Sequence, residues 1–340
     1  MKKLLNVLYV TTQGYYLRKE GETVAVEREG TTIQRLPIHM LAGIVTFGNV
    51  MVSPGLLGLC AERGVCVTML SEHGRFLARV EGPVSGNVHL RLAQMRAHED
   101  ATRKGELARN FVIGKILNAR TVLLRRMRDH GEDKDIRQAE QELTCIVRKL
   151  QKATDVIQIR GFEGDAAATY FAVFNKLLVA QEDEFTIAGR NRRPPLDPMN
   201  ALLSFFYTLL TADCRGALEG VGLDPQIGFL HEVRPGRPSL ALDLMEEFRA
   251  VIADRMAVSL VNLRQVQPKD FVRSESGAVL LRDESRKTVL TAWQKKKQEM
   301  LIHPFLGEKV AIGLLPHIQA LLLARRLRGD LDDYPPYVVR

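Results

Sequence analysis

Three separate segments of the chain carry residue types that can hold a divalent cation. Glu163 stands between two glycines, where we expect a helix to open, and His231 ends the short apolar stretch 228–230. Asp243 and Glu246 are three residues apart on a predicted helix and share a neighbouring face. Carboxylate oxygens with one imidazole nitrogen leave coordination positions open for water and phosphate. This donor set suits Mg²⁺ and also accepts Mn²⁺.

Each segment also has an ordinary structural interpretation. Acidic residues at a helix start stabilise the positive end of its dipole. A single histidine after an apolar stretch is more often structural than a ligand, and two acids on one helix can form a solvated stripe. The apolar neighbours of Asp243 and Glu246 argue against full exposure of their helix. Taken singly, the segments do not establish a site.

A fourth segment, 190–207, combines arginines, rigid prolines and a predicted helix. Guanidinium groups bind phosphates through paired hydrogen bonds. On the helix, Asn200, Ser204 and Tyr207 fall on one side, where we expect them to support the metal ligands. The alternative is a basic loop before an ordinary buried helix. The arginines predicted to contact phosphates are Arg190, Arg192, Arg193, Arg234, Arg237 and Arg249.

The elements that must position these residues change character near residue 86. Before it, β-prone runs, a hairpin around Gly21 and one short helix from Pro54, capped by Ser53, indicate β structure. After it, apolar residues recur at helical spacing, with one hairpin around Ser276-Gly277 and an extended, mobile tail at 334–337. The helices are expected at 89–103, 106–128, 134–152, 162–179, 199–210, 240–256 and 310–328. We therefore predict an α+β protein with an N-terminal β-rich domain, 1–85, and a larger all-α-helical catalytic domain, 86–340.

Composition limits the class of protein. The 340 residues are 46% hydrophobic and 26% charged, which is enough apolar material for a core and too much for a disordered chain. The net charge of +8 favours polyanionic partners such as nucleic acid. The four cysteines form no Cys-x-x-Cys pair, and no apolar run has the length of a membrane span. A cytoplasmic protein without membrane contact is expected.

Taken together and in order, four motifs resemble those of the CRISPR-associated integrase that captures spacers, long called an endonuclease. They are Glu-Gly-x-Ala-Ala at 163–167, Arg-Arg-Pro-Pro-x-Asp-Pro-x-Asn-Ala-Leu-Leu-Ser at 192–204, Gly-Phe-Leu-His at 228–231, and Ser-Leu-Ala-x-Asp-Leu-x-Glu-x-Phe-Arg at 239–249. The resemblance covers nearly the whole chain. It is strongest to the branch that accompanies type I systems.

The resemblance implies a β domain followed by a helical domain, and a metal site made of a Glu, a His and a second acid. By motif these ligands are Glu163, His231 and Glu246, while Asp243 falls on a further acidic position. Many members have Asp where this chain has Glu246, so either acid can be the third ligand. The resemblance also implies double-stranded DNA as substrate, Mg²⁺ or Mn²⁺ as cofactor, a homodimer, and a small ferredoxin-like CRISPR-associated adaptation protein as partner.

Such a site can perform in-line displacement at phosphorus. With water as nucleophile the result is cleavage, and with a DNA terminal hydroxyl it is joining, which the resemblance favours. His231 has a second interpretation as a general acid or base. Two alternatives remain: a non-catalytic DNA-binding scaffold with a structural acidic cluster, and a metal hydrolase acting on small phosphates.

Overall fold

The computed structural model of the chain describes residues 6–72, 76–80, 88–191, 194–275 and 277–339. The chain divides into two compact units. The first contains the described part of Met1–Ser85 together with Leu280–Glu299 and Ala311–Leu314, and the second contains the remainder. The strand-rich beginning and the mostly helical remainder confirm the predicted α+β class.

The first unit contains two four-stranded sheets. One has the order β1-β5-β7-β8, with β1, β5 and β7 parallel, and the other has the order β4-β3-β2-β6. The strands are β1 (Asn6–Val10), β2 (Tyr16–Glu20), β3 (Thr23–Arg28), β4 (Thr31–Pro37), β5 (Leu41–Phe47), β6 (Met51–Val52), β7 (Cys66–Leu70) and β8 (Phe76–Val80). The hairpin predicted around Gly21 is β2–β3, and the glycine takes a left-handed φ of 58° there.

Helix α1 (Pro54–Arg63) completes the core of this unit. Ser53 Oγ accepts a hydrogen bond from the backbone N–H of Leu56, and Gly64 ends the helix in the left-handed region. The prediction for this helix is confirmed. Its buried Leu56 packs with Leu17 of one sheet and Ile44 of the other, so apolar burial joins the helix to both sheets.

The second unit is built mainly from helices. They are α2 (Val88–Glu99), α3 (Ala101–His130), α4 (Lys134–Leu150), α5 (Val156–Ala172), α6 (Glu182–Phe185), α7 (Pro198–Val221), α8 (Ser239–Glu246) and α9 (Arg255–Asn262), and, after α10 (Asp283–Gln298) of the first unit, α11 (Leu315–Arg328). Helix α3 packs against α4, α5 and α8, while α7 packs against α8 and α11. A π-helical turn, Arg249–Asp254, separates α8 from α9. Within the described residues, none of the helices combines the length and the hydropathy that a bilayer crossing requires.

Short strands also lie between helices in the C-terminal part of the sequence. They are β9 (Phe271–Arg273), β10 (Val279–Leu281), β11 (Met300–Ile302) and β12 (Lys309–Ala311). The pair β9–β10 confirms the predicted hairpin, although Ser276 of its turn lies outside the described residues. The helix predicted at 310–328 was wrong at its beginning, because strand β12 and a short 3₁₀ turn precede α11.

Two further differences come from contacts between residues distant in the chain. Helix α10, which the sequence pattern placed with the helical domain, lies in the first unit, where Trp293 is buried and the Arg286 guanidinium lies 5.3 Å from the centre of the Phe47 ring. The segment 334–337 was expected to be mobile, and this was wrong. Tyr334 and Tyr337 are buried, so the tail is part of the core.

Candidate active site

Two acidic residues of α8 point into the protein. Asp243 is fully buried and the Glu246 side chain is 3% exposed. The helix is held in place by Leu240 and Leu244, which are fully buried one turn apart. An ionised carboxylate is costly to bury without partners, so the partners of these two acids determine what each can do.

Asp243 holds the segment that carries His231. Its Oδ2 accepts hydrogen bonds from the backbone N–H groups of Phe229 (2.6 Å) and Leu230 (3.0 Å). Its Oδ1 accepts one from the His231 N–H (2.9 Å) and lies 2.7 Å from His231 Nδ1. A carboxylate offers about four lone-pair sites, and all are taken. In this geometry Asp243 positions the imidazole, and only Nε2 of His231 is left to meet a cation or a substrate proton.

The same contacts explain the glycine before this segment. A Cβ on Gly228 would lie 2.8 Å from Asp243 Oδ2 and 2.7 Å from the backbone carbon of Ser239. The Ser239 atom belongs to the backbone, and the Asp243 oxygen is held by its hydrogen bonds, so neither atom can move aside. Position 228 therefore requires glycine so that α8 can approach the His231 segment.

A lysine joins the other two predicted ligands. Lys115 of α3 forms an ion pair with Oε1 of Glu163 on α5, and its Nζ lies 2.8 Å from Glu246 Oε2 on α8. Two carboxylates that contact the same ammonium share one cation position. Carboxylate oxygens are also the ligands that Mg²⁺ and Mn²⁺ prefer, so these residues fit a divalent cation at that position.

Glu163 lies in the middle of α5 and not at its beginning as predicted. The helix starts at Val156, because Asp155 caps it by accepting a hydrogen bond from the Gln158 N–H at 3.1 Å. Contacts of α5 with α3 and α4 offset the cost of its glycines. On Gly164, beside the carboxylate, an added Cβ would meet none of the described atoms within 4 Å. The glycine next to Glu163 therefore leaves an open surface.

Arg249 provides a second positive charge at Glu246. Its guanidinium lies 2.7 Å from Glu246 Oε1 and 4.4 Å from the centre of the Tyr207 ring. The Tyr207 hydroxyl donates to Asp254 at 2.6 Å. Burial alone would raise the pKa of Glu246, but the charges of Arg249 and then Lys115 outweigh it and lower the pKa to about 2. Glu246 is therefore ionised at ordinary pH.

The residues predicted to support the ligands divide into two groups. Tyr207 contacts Arg249, which pairs with Glu246. Asn200 and Ser204 contact Arg190 instead: Asn200 Oδ1 accepts a hydrogen bond from the guanidinium, and Ser204 Oγ lies 3.4 Å from it. The Arg190 guanidinium also lies 5.1 Å from the Tyr207 ring centre, and burial lowers its pKa. Both arginines thus pair with side chains of the protein, Arg190 with Asn200 and Arg249 with Glu246, and their contacts with phosphate stay a prediction.

The remaining predicted phosphate contacts lie elsewhere. Arg234 has a 65% exposed side chain, 2.8 Å from Glu232, and Arg237 is half-buried in the same loop after His231. Arg192 and Arg193 lie outside the described residues. The sequence pattern did not single out Arg160, whose Nε donates to the Leu230 carbonyl at 2.6 Å and adds a cation beside the His231 segment.

The predicted convergence of three metal ligands takes a different form. Among the residues that the structure describes, no three His, Cys, Asp or Glu side chains form a group ready to hold a metal ion. Glu163 and Glu246 meet at Lys115, while His231 meets Asp243 one helical turn from Glu246. The imidazole also helps to lower the pKa of Glu246. The donors thus lie in one region, with an ammonium at the cation position.

Lys115 was missed, although the sequence carries a signal for it. It lies on the buried face of α3, with Phe111, Val112, Asn118 and Ala119 three and four positions away. A lysine is seldom buried unless it is paired with an acid. Its position on an apolar helix face therefore predicts a buried carboxylate partner.

A further buried acid connects the tail to this site. Glu247 accepts hydrogen bonds from the Tyr334 hydroxyl (2.5 Å), the Tyr337 N–H (2.6 Å) and the Gln319 side chain (2.9 Å). Burial outweighs these donors and raises the pKa of Glu247 to about 8. Asn118 of α3 donates to the carbonyls of Glu247 and Tyr337, each at 2.7 Å. The tail therefore fixes the residue that follows Glu246.

The fold resembles those of a solved casposase and of a solved complex that contains Cas1. A casposase bound to integration product has a TM-score of 0.85 at 24% identity, covering 99% of this chain and 95% of that one. A Cas6-RT-Cas1–Cas2 complex has a TM-score of 0.85 at 21% identity, covering all of this chain and 37% of that one. These likenesses define the class of protein as one with the fold shared by Cas1 proteins and casposases.

The sequence comparison is more specific. A family model described as CRISPR associated protein Cas1 matches residues 8–295. A relative named CRISPR-associated endonuclease Cas1 1, from Chlorobaculum tepidum, is 56% identical over 343 residues that span the whole of both chains. The chain belongs to the Cas1 family, which confirms the resemblance inferred from the four motifs.

Proposed function

We propose that this Cas1-family chain is a metal-dependent DNA endonuclease and integrase, which inserts short DNA fragments into a CRISPR array by phosphodiester transesterification. The observation that carries the proposal is the shared cation position of Glu163 and Glu246 beside an imidazole whose Nδ1 is already held. The relative from C. tepidum is named an endonuclease, and the similar casposase was solved with its integration product, which supports both activities.

Glu163 and Glu246 would hold Mg²⁺ or Mn²⁺ through carboxylate oxygens, and His231 through Nε2. The bound metal supplies positive charge to the phosphate oxygens and favours the ionised form of the attacking oxygen. Asp243 keeps the His231 proton on Nδ1, so that Nε2 presents a lone pair. Arg249 and Tyr207 hold Glu246 in its ionised form and orientation. If His231 does not bind the metal, the same Nε2 can accept a proton from the nucleophile.

The same site can cut or join DNA, because the two reactions differ only in the nucleophile. A water molecule gives hydrolysis, and the terminal hydroxyl of a DNA strand gives strand transfer. Exposed Gly164 leaves room for a DNA backbone beside Glu163, and Arg234 and Arg237 follow His231 on the loop, where they can contact flanking phosphates.

Partners follow from the family. We infer that the chain acts on double-stranded DNA as a homodimer, together with a small ferredoxin-like CRISPR-associated protein. One similar structure is an assembly that contains Cas1 and Cas2, which supports a partner of this kind.

One observation favours a second candidate, a DNA-binding scaffold without chemistry. Lys115 and Arg249 already neutralise the acidic cluster, as they would if its role were structural. A scaffold would bind DNA with strong salt dependence, and its DNA binding would be the same with and without metal.

A DNA-joining assay with the purified chain separates the two candidates. Labelled duplex ends and a repeat-containing target are incubated with the partner protein, in Mg²⁺, Mn²⁺ or chelator. We expect joined products only when metal is present. Glu163→Gln and His231→Ala should lower the joining rate by more than the roughly 10–100-fold that is typical when a residue that only orients a metal ligand is changed. Glu132→Gln, at a side chain 69% exposed, is the matched control. Full activity in folded Glu163→Gln and His231→Ala proteins would reject the proposal.

A further inference from the structure

The cation position of the site is filled by a side chain of the protein itself. Lys115 contacts Glu163, and its Nζ lies 2.8 Å from Glu246 Oε2. The lysine side chain is only 13% exposed, whereas an ammonium normally remains in water. The neighbouring Gly114 lies so close to Pro336 that a Cβ there would be 3.0 Å from the proline Cβ, so the helix has little freedom to shift.

The formal charges around this position cancel. Glu163 and Glu246 contribute two negative charges, while Lys115 and Arg249 contribute two positive charges. A divalent cation added without rearrangement would bring two positive charges into a neutral, partly buried site, next to an ammonium. Like charges at such distances repel strongly where water is excluded. Metal binding therefore requires the ammonium to leave the carboxylates.

The ammonium has room to turn toward solvent. The cavity that Lys115 lines together with Ala166 and Tyr170 has a volume of about 20 Å³, enough for roughly one water molecule. On the outer side, the Glu163 side chain is 28% exposed. A lysine has a flexible four-carbon stem, so its head can turn outward there. A phosphate oxygen arriving at that side offers a new charged partner for the ammonium.

We propose that Lys115 is a built-in competitor for the metal, which releases the two carboxylates when a DNA phosphate binds its ammonium, so that metal and DNA bind cooperatively. The inference rests on the metal site of the proposed function. By thermodynamic linkage, the factor by which DNA tightens metal binding equals the factor by which metal tightens DNA binding. Without DNA, Lys115 neutralises the two acids and weakens the binding of a divalent ion.

Mn²⁺ binding to the purified full chain tests this coupling. Free Mn²⁺ is measured by its electron paramagnetic resonance signal, with and without a short DNA duplex, and the binding of Mn²⁺ to the duplex alone is subtracted. In the wild type we expect DNA to tighten Mn²⁺ binding by about tenfold or more. Lys115→Met should bind Mn²⁺ tightly without DNA and lose most of the coupling. Lys115→Arg keeps the charge and should bind Mn²⁺ no more tightly than the wild type.

Lys104→Met is the matched control. Its ammonium lies 3.4 Å from His98 Nε2, close to the site, and we expect this variant to keep wild-type coupling. Equal effects of Lys104→Met and Lys115→Met would overturn the proposal, because the loss of any positive charge near the site would then explain both. If Lys115→Met does not fold, Lys115→Arg decides: Mn²⁺ binding tighter than that of the wild type, with the charge kept, rejects competition.

Glu163→Gln separates failure of this inference from failure of the proposed function. Loss of Mn²⁺ binding in Glu163→Gln, with Lys115→Met no tighter than the wild type, overturns the role of Lys115 and leaves the metal site in place. Absence of Mn²⁺ binding in both the wild type and Lys115→Met, with and without DNA, overturns both.

Discussion

Asp243→Asn is the most informative single substitution, because it keeps the shape of the side chain and changes which atoms can accept hydrogen bonds. The carboxylate is fully buried and accepts from three backbone N–H groups, with His231 Nδ1 as the fourth neighbour. An amide has one oxygen, so two of these four positions will face an –NH₂ group. The least costly arrangement keeps the oxygen toward Phe229 and Leu230 and turns the –NH₂ toward His231.

In that arrangement the backbone N–H of His231 loses its acceptor, and a buried donor left without a partner costs about 1–3 kcal/mol. The –NH₂ group can donate to Nδ1 only if the imidazole moves its proton to Nε2. A protonated Nε2 cannot bind a metal or accept a proton. We therefore expect a moderate loss of stability and a loss of DNA joining of roughly 10–100-fold or more, since the orienting partner of a metal ligand is removed.

Urea unfolding and the joining assay measure the two effects on the same preparation. Glu132→Gln, an amide substitution at an exposed acid, is the control and should leave both unchanged. Normal joining by folded Asp243→Asn would refute the argument that the carboxylate sets the His231 tautomer. An unchanged midpoint of urea unfolding would refute the expectation that the His231 N–H loses its acceptor.

Three further substitutions test the surroundings of the site. Burial raises the pKa of Glu247 from 4.5 to about 8, so between these pH values the native state keeps a proton that the unfolded chain loses. The free energy of unfolding therefore falls as the pH rises, by a few kcal/mol in total. Thermal denaturation from pH 5 to 8 measures this decrease, and Glu247→Gln should remove it. Gly114→Ala places a Cβ 3.0 Å from Pro336 and should destabilise by about 1–3 kcal/mol, whereas Gly216→Ala, where no described atom lies within 4 Å, should not. At Gly164 an added Cβ also meets no described atom within 4 Å, so Gly164→Ala should stabilise α5 by about 1 kcal/mol. The same substitution should slow DNA joining if DNA lies against this glycine. An unchanged joining rate would contradict the placement of DNA beside Gly164.

Local signals in the sequence were sufficient where an element is defined by its own residues. Ser53, Pro54 and Gly64 define α1 because a cap, a fixed φ and a left-handed residue act within one helix. The β2–β3 hairpin depends on a two-residue turn in the same way. The division into strand-rich and helical parts also follows from local periodicity.

Contacts between distant residues account for what local signals missed. The start of α5 was placed too late because the cost of two glycines is offset by α3 and α4, which no local pattern reveals. The tail was judged mobile because Tyr334 gives no sign in the sequence that it bonds to Glu247, 87 positions away. For the site, the motif order selected the acids and His231 as candidates. It could not assign separate roles to Asp243 and Glu246, since that distinction depends on which hydrogen-bond donors surround each carboxylate.

The attachment of the tail to Glu247 has a consequence for synthesis of the protein. Tyr334 and Tyr337 emerge from the ribosome after the helices that they stabilise, and until then Gln319 is the one of the three donors described above that Glu247 can have. A nascent chain can fold its sheets and most of its helices while α8 is still loosely held. The position of Glu246, which precedes Glu247, is thus fixed only after residues 334–337 have been synthesised.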